Sequence, residues 1–158
     1  MKKIIFFATV LFLIKFLNAC GYQPIYGSKN INIKIVNQSF EGNNDLAQRI
    51  YSRINNILFY ENDAKEVSLK VFASKNKLIT SKDSAGNALN YKITINTELT
   101  MTDIFSDKVI ANDNITLSEN YNVQDQIHQT EKLENDIMSN LIDRASQEFL
   151  LKISQTDI

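Results

Sequence analysis

Residues 89–102 read LNYKITINTELTMT, and their alternation decides the fold. Leu89, Tyr91, Ile93, Ile95, Leu99 and Met101 fall on one side of a pleated strand, with Thr97 the one polar member. Asn90, Lys92, Thr94, Asn96, Glu98, Thr100 and Thr102 fall on the other, and all are polar. A period of two over this length predicts a long antiparallel strand with one dry face and one wet face. The dry face needs a cover, so amphipathic helices should occur elsewhere in the chain.

Two segments supply them. Asn43 and Asn44 offer an N-cap and Asp45 complements the helix dipole. Leu46, Ile50, Ile54, Ile57 and Leu58 then form one apolar stripe. Residues 124–153 return to helical spacing through Leu133, Ile137, Leu141, Ala145 and Phe149, with Met138, Ile142 and Ile153 alongside. This is the longest predicted helix.

Three further strands complete the set. Ile31, Ile33 and Ile35 alternate with Asn32 and Lys34, and Val67, Leu69, Val71 and Ala73 alternate against Ser68, Lys70 and Ser74. A turn cluster spans Asp83–Asn87 and a second spans Phe105–Lys108. Val109, Ala111, Ile115, Leu117 and Tyr121 continue the pattern less cleanly, and Asp113 on their apolar side predicts a bulge or frayed pairing. The order β-α-β-β-β-α predicts an α+β fold, with two helices on one face of a four-stranded, mostly antiparallel sheet.

The start of the chain has a different character. Met1, Lys2 and Lys3 precede an apolar run from Ile4 to Ile14, and small residues lie near Cys20. That is the layout of a secretory signal, too short to span a bilayer at roughly 20 residues. Leu17, Asn18, Ala19 and Cys20 resemble a lipobox, although Asn18 is polar and Lys15 stands close to the cut. The expected domains are a removed signal at 1–19 and one lipid-anchored domain at 20–158. Cys20 is the only cysteine, so no internal disulfide can form. Its expected modification is covalent diacylglycerol with an N-acyl lipid, and two or more acyl chains make anchoring stable. Gly21, where an aspartate would signal inner-membrane retention in well-studied Gram-negative systems, favours the outer membrane.

Cys20, Gly21, Tyr22, Gln23, Pro24, Ile25, Tyr26 and Gly27 resemble the mature N-terminus of the lipopolysaccharide-assembly lipoprotein (LptE) family. The resemblance implies a non-enzymatic protein on the periplasmic side of the outer membrane. Its partner would be the large β-barrel translocon of lipopolysaccharide, which it would plug and help to assemble. Tyr22, Pro24, Tyr26 and Gly27 would form a conformationally restricted, partner-facing leader. The resemblance also implies lipopolysaccharide as a candidate ligand. Lys75, Lys77 and Lys82, read as a basic hairpin loop, are the residues to meet its phosphates or else a solvated cluster.

Composition weighs against other classes. Loss of Lys2, Lys3 and Lys15 with the signal would leave 14 of 17 basic residues against 18 acidic ones, a formal charge of −4. Nucleic acid, whose binding needs clustered cations, is therefore not an expected partner. His128 is the only histidine and reads as a surface residue. With Cys20 acylated, no thiol nucleophile or Cys/His metal site is left. Glu131 and Glu134 share a helical face of the kind usually solvated, and no catalytic residue, cofactor or metal is expected. Two alternatives stay open: a pilotin-like or barrel-assembly lipoprotein with another client, and a lipid-anchored hydrolase dependent on His128.

Overall fold

The computed structural model describes residues 31–156. The signal segment, Cys20, Tyr22, Pro24, Tyr26 and Gly27 lie outside the described residues. The elements are β1 (Ile33–Gly42), α1 (Asn44–Ile57), β2 (Lys65–Lys82), β3 (Ala88–Asp103), β4 (Val109–Asn122) and α2 (Ile127–Ser154). They form the expected α+β sandwich, a mixed sheet ordered β1-β2-β3-β4 with both helices on one face. β1 pairs parallel to β2 across the α1 crossover, and the remaining pairs are antiparallel.

The dry face of β3 lies where its alternation placed it. Ile93, Ile95, Leu99 and Met101 are buried in one core with Val67, Leu69, Val71 and Ala73 of β2 and Phe149, Leu141 and Ile153 of α2. Thr97 is tolerated in that core because its hydroxyl donates to the carbonyl of Ile115 at 3.4 Å. Each such large apolar side chain contributes on the order of 2 kcal/mol by leaving water. Asn43 caps α1, accepting a hydrogen bond from the Leu46 amide at 3.1 Å, as the sequence predicts.

Several expectations are corrected. Pairing of β3 with β4 is unbroken past Asp113, which sits opposite Leu99; the irregularity lies at Ile110, between the Met101 and Thr102 pairs. Asp113 is half-buried and its side chain accepts from the Asn114 amide, so a carboxylate is accommodated there without a bulge. β1 runs to Gly42, beyond the alternating residues, because backbone pairing with β2 carries it after a register shift near Val36. Ile57 and Leu89 belong to apolar stripes by spacing yet are about half exposed, since each lies past the end of the cover its partner elements provide. Lys75 and Lys77 lie inside β2 rather than in a loop, opposite Ile95 and Ile93.

Among the described residues no helix is long and apolar enough to cross a membrane.

Candidate functional site

Past Ala73, β2 leaves β1 behind and continues with β3, because the β1 pairing ends at Gly42 opposite Ala73. The period of two still governs this ribbon. Odd-numbered residues keep facing the helix side, so Lys75 and Lys77 extend the row begun by Val71 and Ala73. They meet there Tyr91 of β3, Tyr121 of β4 and Glu134 of α2.

The geometry is tight. Glu134 receives Lys75 Nζ at 2.8 Å on Oε1 and Lys77 Nζ at 2.5 Å on Oε2, while the Tyr121 hydroxyl donates to Oε2 at 2.9 Å. Tyr91 and Tyr121 are directly opposite in the ladder and stack with ring centroids 5.6 Å apart. The Lys77 ammonium lies 4.3 Å from the centroid of Tyr91, a cation–π contact. Burial alone would raise the Glu134 pKa, but its three donors outweigh that and hold it at about 2. Burial likewise opposes the Lys77 charge, and the Glu134 carboxylate overcomes it, keeping the ammonium above the ordinary lysine range. The Tyr121 phenol is pushed up by burial and by the carboxylate beside it.

Glu134 is therefore not a solvated helix residue. It is the link that fastens the first turns of α2 to the ribbon. Glu131, three residues earlier, is exposed, as is His128. Nothing local marks Glu134, because its partners lie 13, 57 and 59 residues away in sequence. Lys82 stands apart from this cluster, exposed at the end of β2 beside the Asp83–Asn87 turn.

Around the cluster lies an apolar rim. Leu78, Ile79, Leu89, Val123 and Ile127 are all substantially exposed at this end of the sheet, and the Val123 amide donates to the Leu89 carbonyl at 2.9 Å. Two lysines and one carboxylate leave one net positive charge beside exposed hydrocarbon. Such an end suits an amphipathic anionic molecule or an apolar protein surface better than a small polar substrate.

A concavity of about 340 Å³ lies between α1 and α2 and is lined by Asp45, Gln48, Arg49, Ser52 and Asn56 among others. Arg53 at its edge pairs with Asp143, tying the helices together. Among the described residues no group of three or more His, Cys, Asp or Glu side chains is placed to hold a metal ion.

No protein-family profile matches the chain, and no curated protein matches it significantly. Solved structures do. The uncharacterized lipoprotein B of Nitrosomonas europaea superposes with a TM-score of 0.57 at 13% identity, over 80% of this chain and 88% of that one. A minor lipoprotein of Acinetobacter baumannii gives 0.55 at 16% identity, over 79% of this chain and 94% of that one. In the arrangement of its sheet and two helices, the chain is similar to these bacterial lipoproteins.

Proposed function

We propose that the chain is a lipoprotein of the Gram-negative outer membrane, held on the periplasmic side by diacylglycerol and N-acyl lipid on Cys20. In this proposal it acts without catalysis, as plug and assembly partner of the β-barrel that inserts lipopolysaccharide at the cell surface. The shared fold with lipoprotein B and a minor lipoprotein supports the lipoprotein part. The Cys20–Gly27 signature supports the client.

One observation carries the plug role: along β3 and β4 the sheet face away from the helices is uncovered and polar. Asn90 donates to Ser81 at 2.6 Å, Thr116 donates to Asn96 at 2.9 Å, and Thr100 and Asn112 face each other across the β3–β4 ladder. These cross-strand pairs are polar, so along β3 the face offers water hydrogen-bonding groups rather than hydrocarbon that must be covered. The interior of a large outer-membrane barrel is polar, so this face fits its lumen.

Lipopolysaccharide, with phosphates beside acyl chains, matches the ribbon end, where Lys82 and the Lys75–Lys77 pair stand next to the apolar rim.

The experiment is purification of the acylated protein from outer membranes in mild detergent, with mass spectrometry of whatever barrel accompanies it, combined with depletion. Co-purification of one large barrel that misassembles on depletion is the expected result. Normal barrel assembly and normal surface lipopolysaccharide without the protein would remove the proposal. Stable capture of a secretion pore instead would favour the pilotin-like alternative.

A further inference from the structure

The end of the sheet opposite the ribbon carries the most exposed aromatic side chains of the described residues. Phe105 is 84% and Phe59 78% exposed, and Tyr60 and Ile57 stand about half out of the surface. Large apolar side chains so open to water are unusual on a folded surface and mark a contact. Ile57 ends α1, and the three rings sit at two neighbouring connections, residues 58–64 after α1 and residues 104–108 between β3 and β4. The Ile104 amide donates to the Glu66 carbonyl at 3.3 Å, which joins the second connection to the start of β2.

Both connections are fixed by hydrogen bonds. Asp103 accepts from the amides of Phe105 at 2.9 Å and Ser106 at 3.0 Å and pairs with Lys65 at 3.3 Å, which holds Phe105 outward. Asn32 accepts from the Glu61 amide at 2.8 Å and donates to Asp63 at 2.8 Å, while its carbonyl accepts from the Lys65 amide at 2.9 Å. The first described residues of the chain are thus bound into the connection that bears Phe59 and Tyr60.

This arrangement bears on the lipid anchor. Residues 21–30 separate Cys20 from Ile31, and an extended chain rises about 3.5 Å per residue, so the acylated cysteine lies at most about 40 Å from this end. The ribbon end stands about 50 Å from this one, the rise of the 16 residues of β3, and so beyond that reach. We infer that the aromatic end is a membrane-contact surface, which seats Phe59, Tyr60 and Phe105 at the headgroup boundary of the bilayer that holds the anchor. The inference rests on the lipoprotein reading above, concerns the anchored protein while no barrel encloses it, and adds an orientation: aromatic end down, ribbon end away.

Charge says which force drives the contact. The two connections contain Glu61, Asp63 and Asp107 against Lys108 alone. Anionic lipid cannot attract this end electrostatically, so attachment comes from burying apolar ring surface of Phe59 and Phe105, with Tyr60 keeping its hydroxyl among the headgroups. The contact should therefore persist in high salt and on zwitterionic vesicles.

The chain contains no tryptophan, so single replacements report position directly. Phe105→Trp, Phe59→Trp and, at the opposite end, Leu89→Trp are purified in acylated form and reconstituted into phosphatidylcholine vesicles with or without brominated acyl chains. The acyl mass on Cys20 is measured in the same samples. The expected result is blue-shifted emission at positions 59 and 105, quenched about two-fold by brominated lipid, with position 89 unaffected. Acylated Phe105→Trp protein whose emission is neither shifted nor quenched overturns the inference and leaves the lipoprotein reading standing. Blue-shifted but unquenched emission at 59 and 105 also overturns it, by showing that the leader or another protein segment covers the rings. Absence of an acyl mass removes the lipoprotein reading, and this inference with it.

Discussion

Lys77 of β2 and Glu134 of α2, 57 residues apart in sequence, meet at 2.5 Å, and their contact joins the helix layer to a ribbon that has outrun β1. Beyond Ala73, β2 is an edge strand with no β1 beside it, and ribbons of few strands are marginal in water unless something packs on them. The carboxylate accepts from Lys75, Lys77 and Tyr121 together, so one helix residue holds two strands.

Glu134→Ala should therefore cost on the order of 2 kcal/mol, because it removes three charge-assisted or hydroxyl hydrogen bonds and leaves two lysines facing each other. Urea denaturation measures this. Glu131→Ala, on the exposed face, is the control and should change stability by less than about 0.5 kcal/mol.

The same carboxylate sets a pH dependence. Its folded pKa, about 2, lies below the ordinary value of 4.5, so its stabilisation is complete above pH 4.5 and fades as pH falls toward 2. Asp103, also held below its usual value by the Ser106 and Phe105 amides, acts in the same direction. Thermal unfolding from pH 6 to pH 2 should show a steeper acid loss in wild type than in Glu134→Gln. Parallel curves for the two proteins would contradict the pKa assignment.

Gly42 ends β1 at φ +75°, and a Cβ there would run into the carbonyl oxygen of Ala73, which already accepts from the Asn43 amide at 2.7 Å. Gly42→Ala should destabilise by about 3 kcal/mol or more, since the left-handed backbone and the clash add. Gly86, also at positive φ but with open space around it, should lose only about 1 kcal/mol on the same change. Comparison of the two denaturation midpoints tests the difference.

Ser146 is fully buried on α2 and its hydroxyl has no hydrogen-bond partner. Ser146→Ala should be neutral or stabilising by up to about 1 kcal/mol, since an unpaired buried hydroxyl costs more than the methyl that replaces it. A clear loss of stability would show that the hydroxyl is satisfied in solution.

For lipopolysaccharide, Lys82 is the informative lysine. Reversing Lys75 and Lys77 would place new carboxylates against Glu134 and disturb the fold, whereas Lys82 is exposed at the end of its strand. Under the proposed lipopolysaccharide reading, Lys82→Glu should weaken binding by about ten-fold at low salt while leaving the unfolding midpoint unchanged, measured by titration with labelled lipopolysaccharide. Unaltered affinity would take Lys82 out of the site.

The sequence alone determined the element order, the dry face of β3 and the cap of α1, because each is written in residues close together. Alternation at 89–102 sets a pleat by steric necessity, and Asn43 reaches an amide three residues on. The ribbon end was legible only as composition: three lysines were visible, but not that two of them lie within a strand and share one glutamate. Strand length past Ala73 was hidden, because Ser74 to Lys82 lack the alternation that burial imposes on core strands and are held by backbone pairing with β3. Only the tertiary structure decided that Glu134 faces inward, that Asp113 is absorbed without a bulge, and that Phe59 and Phe105 share one end of the sheet. The physical reason is the same in each case: such contacts join residues tens of positions apart, and local periodicity reports which side a residue faces, not what stands opposite it.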